Sequence, residues 1–446
     1  MPDAAHTLVS LSDPPEQVAL RWPADRAMVA WGLGRASPWS RWAILAEPSE
    51  SILAREAVSV QRLLDLWREP KADSDSTSDE CPPFVGGWIG AFSYEYGHAL
   101  EPSAGVIPAA ARPWPMAAFH RVDGAWCYDK ILRRWHAVGT AEGFPPQTSQ
   151  HHDTATVRAG PWSSTTGRAA YIESVARAIE YIRAGDIYQV NLAHELRAVF
   201  EGTTIGALLR LVIAADPWYA ALIPLEDAPL RRAIVSASPE LFFTFDAASR
   251  RLVTRPMKGT RSAARAEELR DSPKEHAELA MITDLMRNDL GRVAAFGSVR
   301  VEDPRQLEPH GGLVQGVSSV SARLREGLTL PDVVHALFPG GSITGAPKVR
   351  AMQIIAELEH ANRGPYCGAL GYVSDNGNAA FSMGIRTLTL EGLPGSGRHD
   401  FNIANASYRV GAGIVADSTP EGEWQETLVK ASPLRALGLA SPESIA

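Results

Sequence analysis

Hydrophobic residues recur at helical spacing in four separate segments of the chain. One stripe runs through Tyr171, Val175, Ile179 and Ile182 and ends at Gly185, which predicts an amphipathic helix starting soon after residue 164. A second, longer helix is predicted from residue 274, where Leu279, Ile282, Leu285, Met286 and Val293 share one face. Two further helices are predicted over residues 203–215 and 348–360.

Elsewhere, short apolar and aromatic runs are bounded by turn residues, as is typical of strands. The clearest N-terminal example is VGGWIGAFSYEYG (residues 85–97). The other predicted strands cover residues 187–196, 218–223, 232–237, 241–245, 251–255, 366–374, 379–390 and 400–415. Two polar, proline-containing segments, 69–83 and 143–164, are predicted to be loops. Because strands follow one another in groups, the pattern favours an α+β fold with large, mostly antiparallel sheets.

Composition narrows the class of protein. The 446 residues carry a net charge of −8, which gives no indication of a nucleic-acid or anionic membrane partner. We find no apolar run long enough to span a membrane and no basic start of a secretory signal. Three widely spaced cysteines offer neither a disulfide framework nor a zinc pattern. We therefore expect a cytoplasmic protein.

Two pairs of glutamates stand three residues apart, Glu275 with Glu278 and Glu423 with Glu426. If both segments are helical, each pair projects from one helix face. The first pair borders the apolar stripe of the long helix, where a carboxylate needs a compensating charge. Four such side chains could share a hard divalent cation, most simply Mg²⁺. Two solvated surface pairs are the alternative.

Four further residues carry candidate chemistry. Lys258 lies in TRPMKGTR, where a turn after a strand could aim its amine into a cavity; the alternative is a solvated lysine. Gly411 and Gly413 allow close approach of the backbone to a ligand, or simply a kinked strand. Arg386 lies within a predicted strand and needs a partner, either a substrate carboxylate or a structural ion pair.

Taken together, these segments resemble the chorismate-utilising enzymes. The motifs lie in order between about residues 165 and 432, and they are GDIYQVNLA, SPELFF, RPMKGT, EHAELAMITDLMRNDLGRV, FPGGSITGAPKVRAM, CGALGYVS, IRTL and GAGIVADSTPEGEWQET. The resemblance implies two large, mostly antiparallel sheets in a sandwich surrounded by helices. It also implies an N-terminal sandwich region (1–150) and a chorismate-binding catalytic region (165–440), intertwined in one globular unit.

Two positions separate the chemistries within this family. Gln189 stands where isochorismate-forming members have a water-activating lysine, and glutamine suits ammonia as the incoming nucleophile. Lys258 stands where anthranilate-forming members usually have alanine. The resemblance therefore implies that Lys258 attacks C2 of chorismate, that the C4 hydroxyl leaves, and that ammonia then adds at C4. Such covalent catalysis divides one displacement into two easier steps. The product would lead towards 4-aminobenzoate and folate.

The resemblance also assigns binding roles. Mg²⁺ would be held by Glu275, Glu278, Glu423 and Glu426, with Glu278 and Glu426 as direct ligands. It would orient the C1 carboxylate of chorismate. The family positions that contact substrate carboxylates are matched by Tyr372, Arg386, Gly411, Gly413, Lys430 and Ser342.

One departure from the family pattern bears on the reaction. Gln315, in GGLVQGVSS, replaces a histidine that serves proton transfer in anthranilate-forming members. This argues against anthranilate formation and leaves open what assists loss of the C4 hydroxyl. His310 is predicted to be an ordinary surface histidine. Anthranilate synthesis, isochorismate synthesis and a non-catalytic, chorismate- or tryptophan-binding regulatory subunit remain the alternatives.

Partners follow from the same comparison. No glutamine amidotransferase signature occurs in the chain, so ammonia is expected from a separate glutaminase subunit or from free ammonium. Members of this group also bind tryptophan in the N-terminal sandwich. Here Ser40 and Arg41, in PWSRWAIL, mark where such a pocket would form.

Overall fold

A computed structural model of the chain describes residues 7–71, 80–105, 113–149, 151–152, 154, 157–227, 229–310, 313–441 and 445. The side chains of Thr260, Ala263 and His310 fall outside this description, as do parts of both predicted loops. The prediction for His310 therefore stays a prediction.

Ten α-helices occur in the described residues. They are α1 (Pro15–Leu20), α2 (Ala57–Asp65), α3 (Tyr96–Leu100), α4 (Arg168–Arg183), α5 (Thr204–Ala215), α6 (Ala266–Asp271), α7 (Pro273–Gly291), α8 (Leu330–Leu337), α9 (Lys348–Glu359) and α10 (Pro420–Lys430). The side chains of Ser272 and Thr419 cap α7 and α10, each accepting a backbone N–H of the first turn. Because α7 and α10 carry the paired glutamates, these caps fix where the pairs begin.

The strands divide between two sheets. Those of the first sheet are β1 (Thr7–Val9), β2 (Val29–Leu33), β3 (Trp42–Ala46), β7 (Gly124–Asp129), β8 (Arg134–Gly139), β9 (Arg158–Ala159), β10 (Ser163–Ser164), β11 (Gln189–Thr203), β12 (Tyr219–Asp227), β13 (Leu230–Ser238), β19 (Gly345–Ala346), β22 (Thr387–Pro394) and β23 (Asp400–Ile414). Those of the second are β4 (Glu50–Ala54), β5 (Gly87–Phe92), β6 (Ala117–Val122), β14 (Leu241–Asp246), β15 (Arg251–Arg255), β16 (Met257–Ser262), β17 (Arg300–His310), β18 (Leu313–Arg323), β20 (Ala369–Ser374) and β21 (Ala379–Met383).

Both sheets are antiparallel, which confirms the predicted fold class. In the first sheet the order is β1-β8-β7-β3-β2-β12-β13-β22-β23-β11-β10, with β9 and β19 also pairing β11. In the second the order is β16-β18-β15-β14-β21-β20-β5-β6-β4, with β17 also pairing β18. Strands from before residue 150 join later strands in both sheets, because β2 pairs with β12 and β5 with β20.

Two hydrophobic cores hold these layers together. The smaller combines residues of both sheets, among them Ile44 and Ile234 of the first and Ile89 and Leu370 of the second. The larger includes the helices, and Tyr171, Val175 and Ile179 of α4 are buried in it, as the apolar stripe predicts. Each sheet therefore covers one face of the other, and helices cover the remaining apolar surface.

The four predicted helices are confirmed, as α4, α5, α7 and α9. The predicted strand over 379–390 is wrong in one respect. The segment is two strands in different sheets, β21 and β22, and Arg386 lies between them with a left-handed φ of 50°. The turn predicted around Lys258 is also wrong, because Met257–Ser262 is a strand paired with β18. The register shifts between Lys258 and Thr260, at Gly259, whose φ is 74°.

None of the helices that the structure describes is both long and apolar enough to cross a membrane.

Candidate active site

A cavity of about 870 Å³ opens between helices α7 and α10 and the ends of strands β11, β16 and β23. Most of the residues singled out from the sequence line it. They are Lys258, Glu275, Glu278, Gln315, Ser342, Arg386, Gly411, Gly413, Glu423, Glu426 and Lys430. Segments separated by more than 150 residues in sequence thus meet around one space large enough for a small-molecule substrate.

The amine of Lys258 lies against the glycine strand β23. A methyl group built on Gly413 would stand 2.7 Å from Lys258 Nζ and 3.3 Å from Gln189 Nε2. Gln189 is fully buried, and neither of its amide atoms has a hydrogen-bond partner among the described residues. A buried amide without a partner is costly. The Gln189 amide is therefore available to hydrogen-bond a group other than the described side chains.

The two glutamate pairs line the same cavity, as the helical spacing predicts. Arg261 pairs with Glu275 at 3.0 Å, Lys274 lies 3.8 Å from Glu278, and Lys430 lies 2.7 Å from Glu426. Burial, together with the neighbouring charges of Glu275 and Glu426, raises the pKa of Glu278. Burial also raises the pKa of Glu423. The nearby Lys430 amine lowers the pKa of Glu426.

The fit of these carboxylates to a divalent cation depends on how many of them stand together. Within the described ranges, no three His, Cys, Asp or Glu side chains stand close enough to hold a metal ion together. Mg²⁺ does not require such a cluster, because it is usually held by one or two carboxylates with water and ligand oxygens. Glu423 Oε2 is buried with no hydrogen-bond partner in the part of the chain that the structure describes. The oxygen donors therefore suit a hard cation.

Arg386 lines the cavity. Among the residues that the structure describes, no carboxylate forms an ion pair with its guanidinium. Burial lowers the pKa of this arginine. Of the two partners considered from the sequence, a structural ion pair is not found among the described residues, and the substrate carboxylate stays a prediction.

Lys430 and Ser342 are held by groups at the cavity wall. Lys430 Nζ donates to the carbonyl oxygen of Gly411 at 2.8 Å. Ser342 Oγ donates to Glu240 Oε1 at 2.7 Å. Glu240 itself lines the cavity, and burial raises its pKa to about 7, against the opposing effects of Ser342, Lys258 and Lys430. The sequence analysis missed this residue, although its motif SPELFF drew attention to the segment.

Tyr372 does not reach the cavity. Its ring is buried between the two sheets, 5.0 Å from the Trp31 ring and 5.4 Å from the Phe84 ring. The tyrosine that does line the cavity is Tyr366, whose hydroxyl would stand 2.7 Å from a methyl group built on Gly411. Tyr372 lies on β20 with its side chain in the core between the sheets, whereas Tyr366 lies in the turn that precedes this strand.

In the N-terminal region, the side chains proposed for a tryptophan pocket have partners within the protein. Ser40 Oγ donates to the Trp218 carbonyl and accepts from Lys130 Nζ at 2.7 Å. Arg41 forms an ion pair with the buried Asp129 at 2.6 Å. Burial lowers the pKa of Lys130 to about 7. Tryptophan binding therefore stays a prediction.

Comparison with known proteins identifies the class of enzyme. The sequence profile of the family described as "chorismate binding enzyme" matches residues 33–436. Because this range covers most of the chain, the chain belongs to that family. The resemblance drawn from the motifs is confirmed, and the protein is a chorismate-utilising enzyme.

Individual relatives carry more than one name. The chain is 38% identical to aminodeoxychorismate synthase component 1 of Escherichia coli over 391 residues, which is 83% of this chain and 80% of that protein. It is 36% identical to anthranilate synthase component 1 of Thermus thermophilus, over 80% of this chain and 78% of that protein. The crystal structure of anthranilate synthase component I from Streptococcus pneumoniae superposes with a TM-score of 0.73 at 24% identity, covering 98% of this chain and all of that one. This last likeness concerns the fold alone.

Proposed function

We propose that the protein is an aminodeoxychorismate synthase component I, which converts chorismate and ammonia to 4-amino-4-deoxychorismate through a covalent bond to Lys258. One observation carries the proposal. The Lys258 amine lies in the cavity beside Gly413 and near the buried Gln189 amide, which has no hydrogen-bond partner among the described residues. The name of the Escherichia coli relative agrees with this choice.

Two groups of the cavity, Lys258 and Glu240, are sufficient for the proposed reaction. Lys258 Nζ forms a bond to C2 of chorismate as the C4–O bond breaks, and the leaving hydroxyl takes a proton and departs as water. Glu240 suits the role of proton donor, because a pKa of about 7 leaves a large share of it protonated at neutral pH. Ammonia then bonds to C4 while the C2–N bond to Lys258 breaks, so the lysine amine returns to its starting form, and one proton of the new C4 ammonium group returns to Glu240.

In this proposal, cationic side chains and backbone groups of the cavity orient the substrate. Chorismate carries two carboxylates, and Arg386 offers a guanidinium that no carboxylate in the described part of the chain neutralises. Lys430 stands at Gly411, where the chain lacks a side chain and a ligand can approach the backbone. Ser342 adds a hydroxyl beside Glu240. Such contacts reduce the entropic part of the barrier by holding the ring in one position.

We further propose that Glu275, Glu278, Glu423 and Glu426 hold Mg²⁺. When bound, the ion would neutralise a substrate carboxylate and help to orient it. Burial is the first cause of the raised pKa values of Glu278 and Glu423, and neighbouring carboxylates add to it; a bound cation would favour the charged forms.

Ammonia is proposed to come from a separate glutaminase subunit or from free ammonium. The relatives named here are each called component 1, which supports a second component. The product would be carried towards 4-aminobenzoate, and so towards folate, by a separate lyase.

Mass spectrometry of the product tests the reaction directly. Chorismate, Mg²⁺ and ammonium are incubated with the protein, and we expect a product in which nitrogen replaces the C4 hydroxyl. Lys258→Ala should abolish or greatly slow this amination with the fold intact, as checked by circular dichroism. An unchanged rate in that variant would rule out the covalent mechanism.

The same assay separates the competing functions. Anthranilate synthesis is the second candidate, because relatives of similar identity bear that name. Fluorescent anthranilate formed without any lyase would establish it. Turnover without a nitrogen source would indicate isochorismate synthesis. Tight chorismate binding with no turnover would instead indicate a non-catalytic regulatory subunit.

A further inference from the structure

Asn191 of β11 presents an unpaired oxygen at the candidate active site. The residue lines the cavity and is 8% exposed. Its Oδ1 is buried and has no hydrogen-bond partner among the residues that the structure describes. Buried amide oxygens are normally hydrogen-bonded, and leaving one unpaired costs free energy. Because Asn191 lines a cavity, a ligand bound there can supply the missing donor.

The main chain of Asn191 is fixed on both sides. Its N–H donates to the carbonyl oxygen of Thr344 at 2.8 Å, and its carbonyl oxygen accepts from Arg363 Nη2 at 2.7 Å. Arg363 is itself buried, and it forms an ion pair with Glu359 at 2.6 Å. The position of Asn191 is therefore set by contacts within the protein, as a pre-organised binding group requires.

The segment that holds Asn191 also holds Glu240. Ser342, in the short 3₁₀ turn Gly341–Ile343, donates to Glu240 Oε1 at 2.7 Å. Two residues later, the carbonyl oxygen of Thr344 accepts the Asn191 N–H. Glu240, Ser342 and Asn191 all line the cavity. The carboxyl group of Glu240 and the carboxamide of Asn191 therefore belong to one wall, built on a single turn.

A glycine on the neighbouring strand leaves the Asn191 oxygen uncovered. A methyl group built on Gly411 of β23 would stand 2.9 Å from Asn191 Oδ1, closer than carbon normally approaches. Any side chain at position 411 would therefore press against the carboxamide. Glycine avoids this contact and keeps the oxygen open to a ligand on that side.

The chemistry of chorismate limits which of its groups can pair with this oxygen. Both of its carboxylates are ionised at neutral pH and, like its ether oxygen, can only accept hydrogen bonds. The C4 hydroxyl is its single hydrogen-bonding donor. The cations Arg386 and Lys430 suit the carboxylates, whereas an unpaired acceptor suits the hydroxyl.

We propose that Asn191 Oδ1 accepts the hydrogen bond of the C4 hydroxyl of chorismate and leaves the lone pairs of that oxygen available to the Glu240 proton. This inference rests on the proposed function, from which it takes the substrate and the proton donor. As the C4–O bond breaks, the Glu240 proton adds to the hydroxyl oxygen and water departs. Asn191 neither gains nor loses a proton, so it is a substrate-binding residue that fixes the leaving group.

Calorimetry with two ligands tests this contact. Chorismate is compared with its 4-deoxy analogue, in which hydrogen replaces the C4 hydroxyl. The titrations use the Lys258→Ala background with Mg²⁺ and without ammonium, so that the proposed covalent step does not occur. Asn191→Leu replaces the carboxamide by an apolar side chain of similar size. We expect it to weaken chorismate binding roughly tenfold, the loss of one hydrogen bond, and to leave the affinity for the analogue within about twofold.

Two more variants complete the comparison. Asn191→Ala introduces no added bulk and should show the same selective loss. Gln425→Leu is the matched control, because Gln425 also lines the cavity but its amide donates to Glu421 Oε1 at 3.0 Å. It should leave the ratio of the two affinities as in the wild type. If the Asn191 variants fold normally, as judged by melting temperature, and weaken both ligands equally or neither, the assignment of Asn191 is wrong.

This result is separable from failure of the proposed function. Calorimetry measures the contact without turnover, whereas mass spectrometry of the wild-type product measures the reaction. If chorismate and ammonium give no product aminated at C4, the proposed function fails. If that product forms but the Asn191 variants do not distinguish chorismate from its 4-deoxy analogue, only the role of Asn191 is excluded.

Discussion

Glu240 provides a quantitative test of the electrostatics of the cavity. The residue is 4% exposed and lies between β13 and β14, where Ser342 Oγ donates to its carboxyl group. Burial raises its pKa from 4.5 to about 7. Glu240→Gln keeps a side chain of the same shape that can still accept this hydrogen bond, but it removes the titrating proton.

The sign of the effect follows from linkage. The folded protein binds the Glu240 proton more tightly than the unfolded chain does, because its folded pKa is higher. The stability gained in this way is present at low pH and is lost as pH rises through about 7. The difference between 4.5 and about 7 corresponds to about 3 kcal/mol between the acid and alkaline limits, at 1.36 kcal/mol for each pKa unit.

Urea unfolding between about pH 5 and about pH 9 measures this effect. The free energy of unfolding of Glu240→Gln, minus that of the wild type, should rise across this interval by most of that amount. Glu421→Gln is the matched control, since Glu421 is exposed and its pKa is lowered by Gln425 and Arg168. For this variant, the free energy of unfolding minus that of the wild type should stay constant over the same pH interval. If the difference in free energy of unfolding between Glu240→Gln and the wild type stays constant or falls with pH, the raised pKa of Glu240 is refuted.

Three further variants test the site. Gly413→Ala should lower kcat by at least roughly tenfold, because its methyl group displaces the Lys258 amine; equal turnover would place the amine elsewhere. Arg386→Ala should weaken chorismate binding by about 10- to 100-fold, the loss of a charge-assisted hydrogen bond, measured by calorimetry; unchanged affinity would remove Arg386 from the binding site. Glu278→Gln should abolish both activity and its dependence on Mg²⁺, and full activity of the wild type in excess chelator would contradict the metal proposal.

Local sequence patterns determine several features of this protein, among them its helices and the spacing of its paired glutamates. The stripe through Tyr171, Val175 and Ile179 predicts α4, because helical periodicity depends only on residues a few positions apart. The spacing of Glu275 and Glu278 likewise places both carboxylates on one helix face before any tertiary contact is known. The ordered motifs were sufficient to indicate the family, and the family profile confirms it.

Tertiary packing decided which neighbouring residue faces the cavity. Tyr366 and Tyr372 lie six positions apart, yet Tyr366, in the turn before β20, lines the cavity, and Tyr372, on β20, lies in the core between the two sheets. The segment over 379–390 has a continuous strand-like composition, yet Arg386 turns the chain from one sheet to the other. Composition cannot indicate such a turn. The residues of the segment favour strands, but this preference does not specify which strands they pair with, or in which sheet.

The meeting of Lys258, Gln189 and Gly413 is also a property of the tertiary structure. The three residues lie on different strands, β16, β11 and β23, from both sheets. The sequence indicates each residue type, but their separation depends on long-range pairing and on how the sheets pack. Glu240 shows the same limit, since its pKa of about 7 comes from burial, which no local pattern reports.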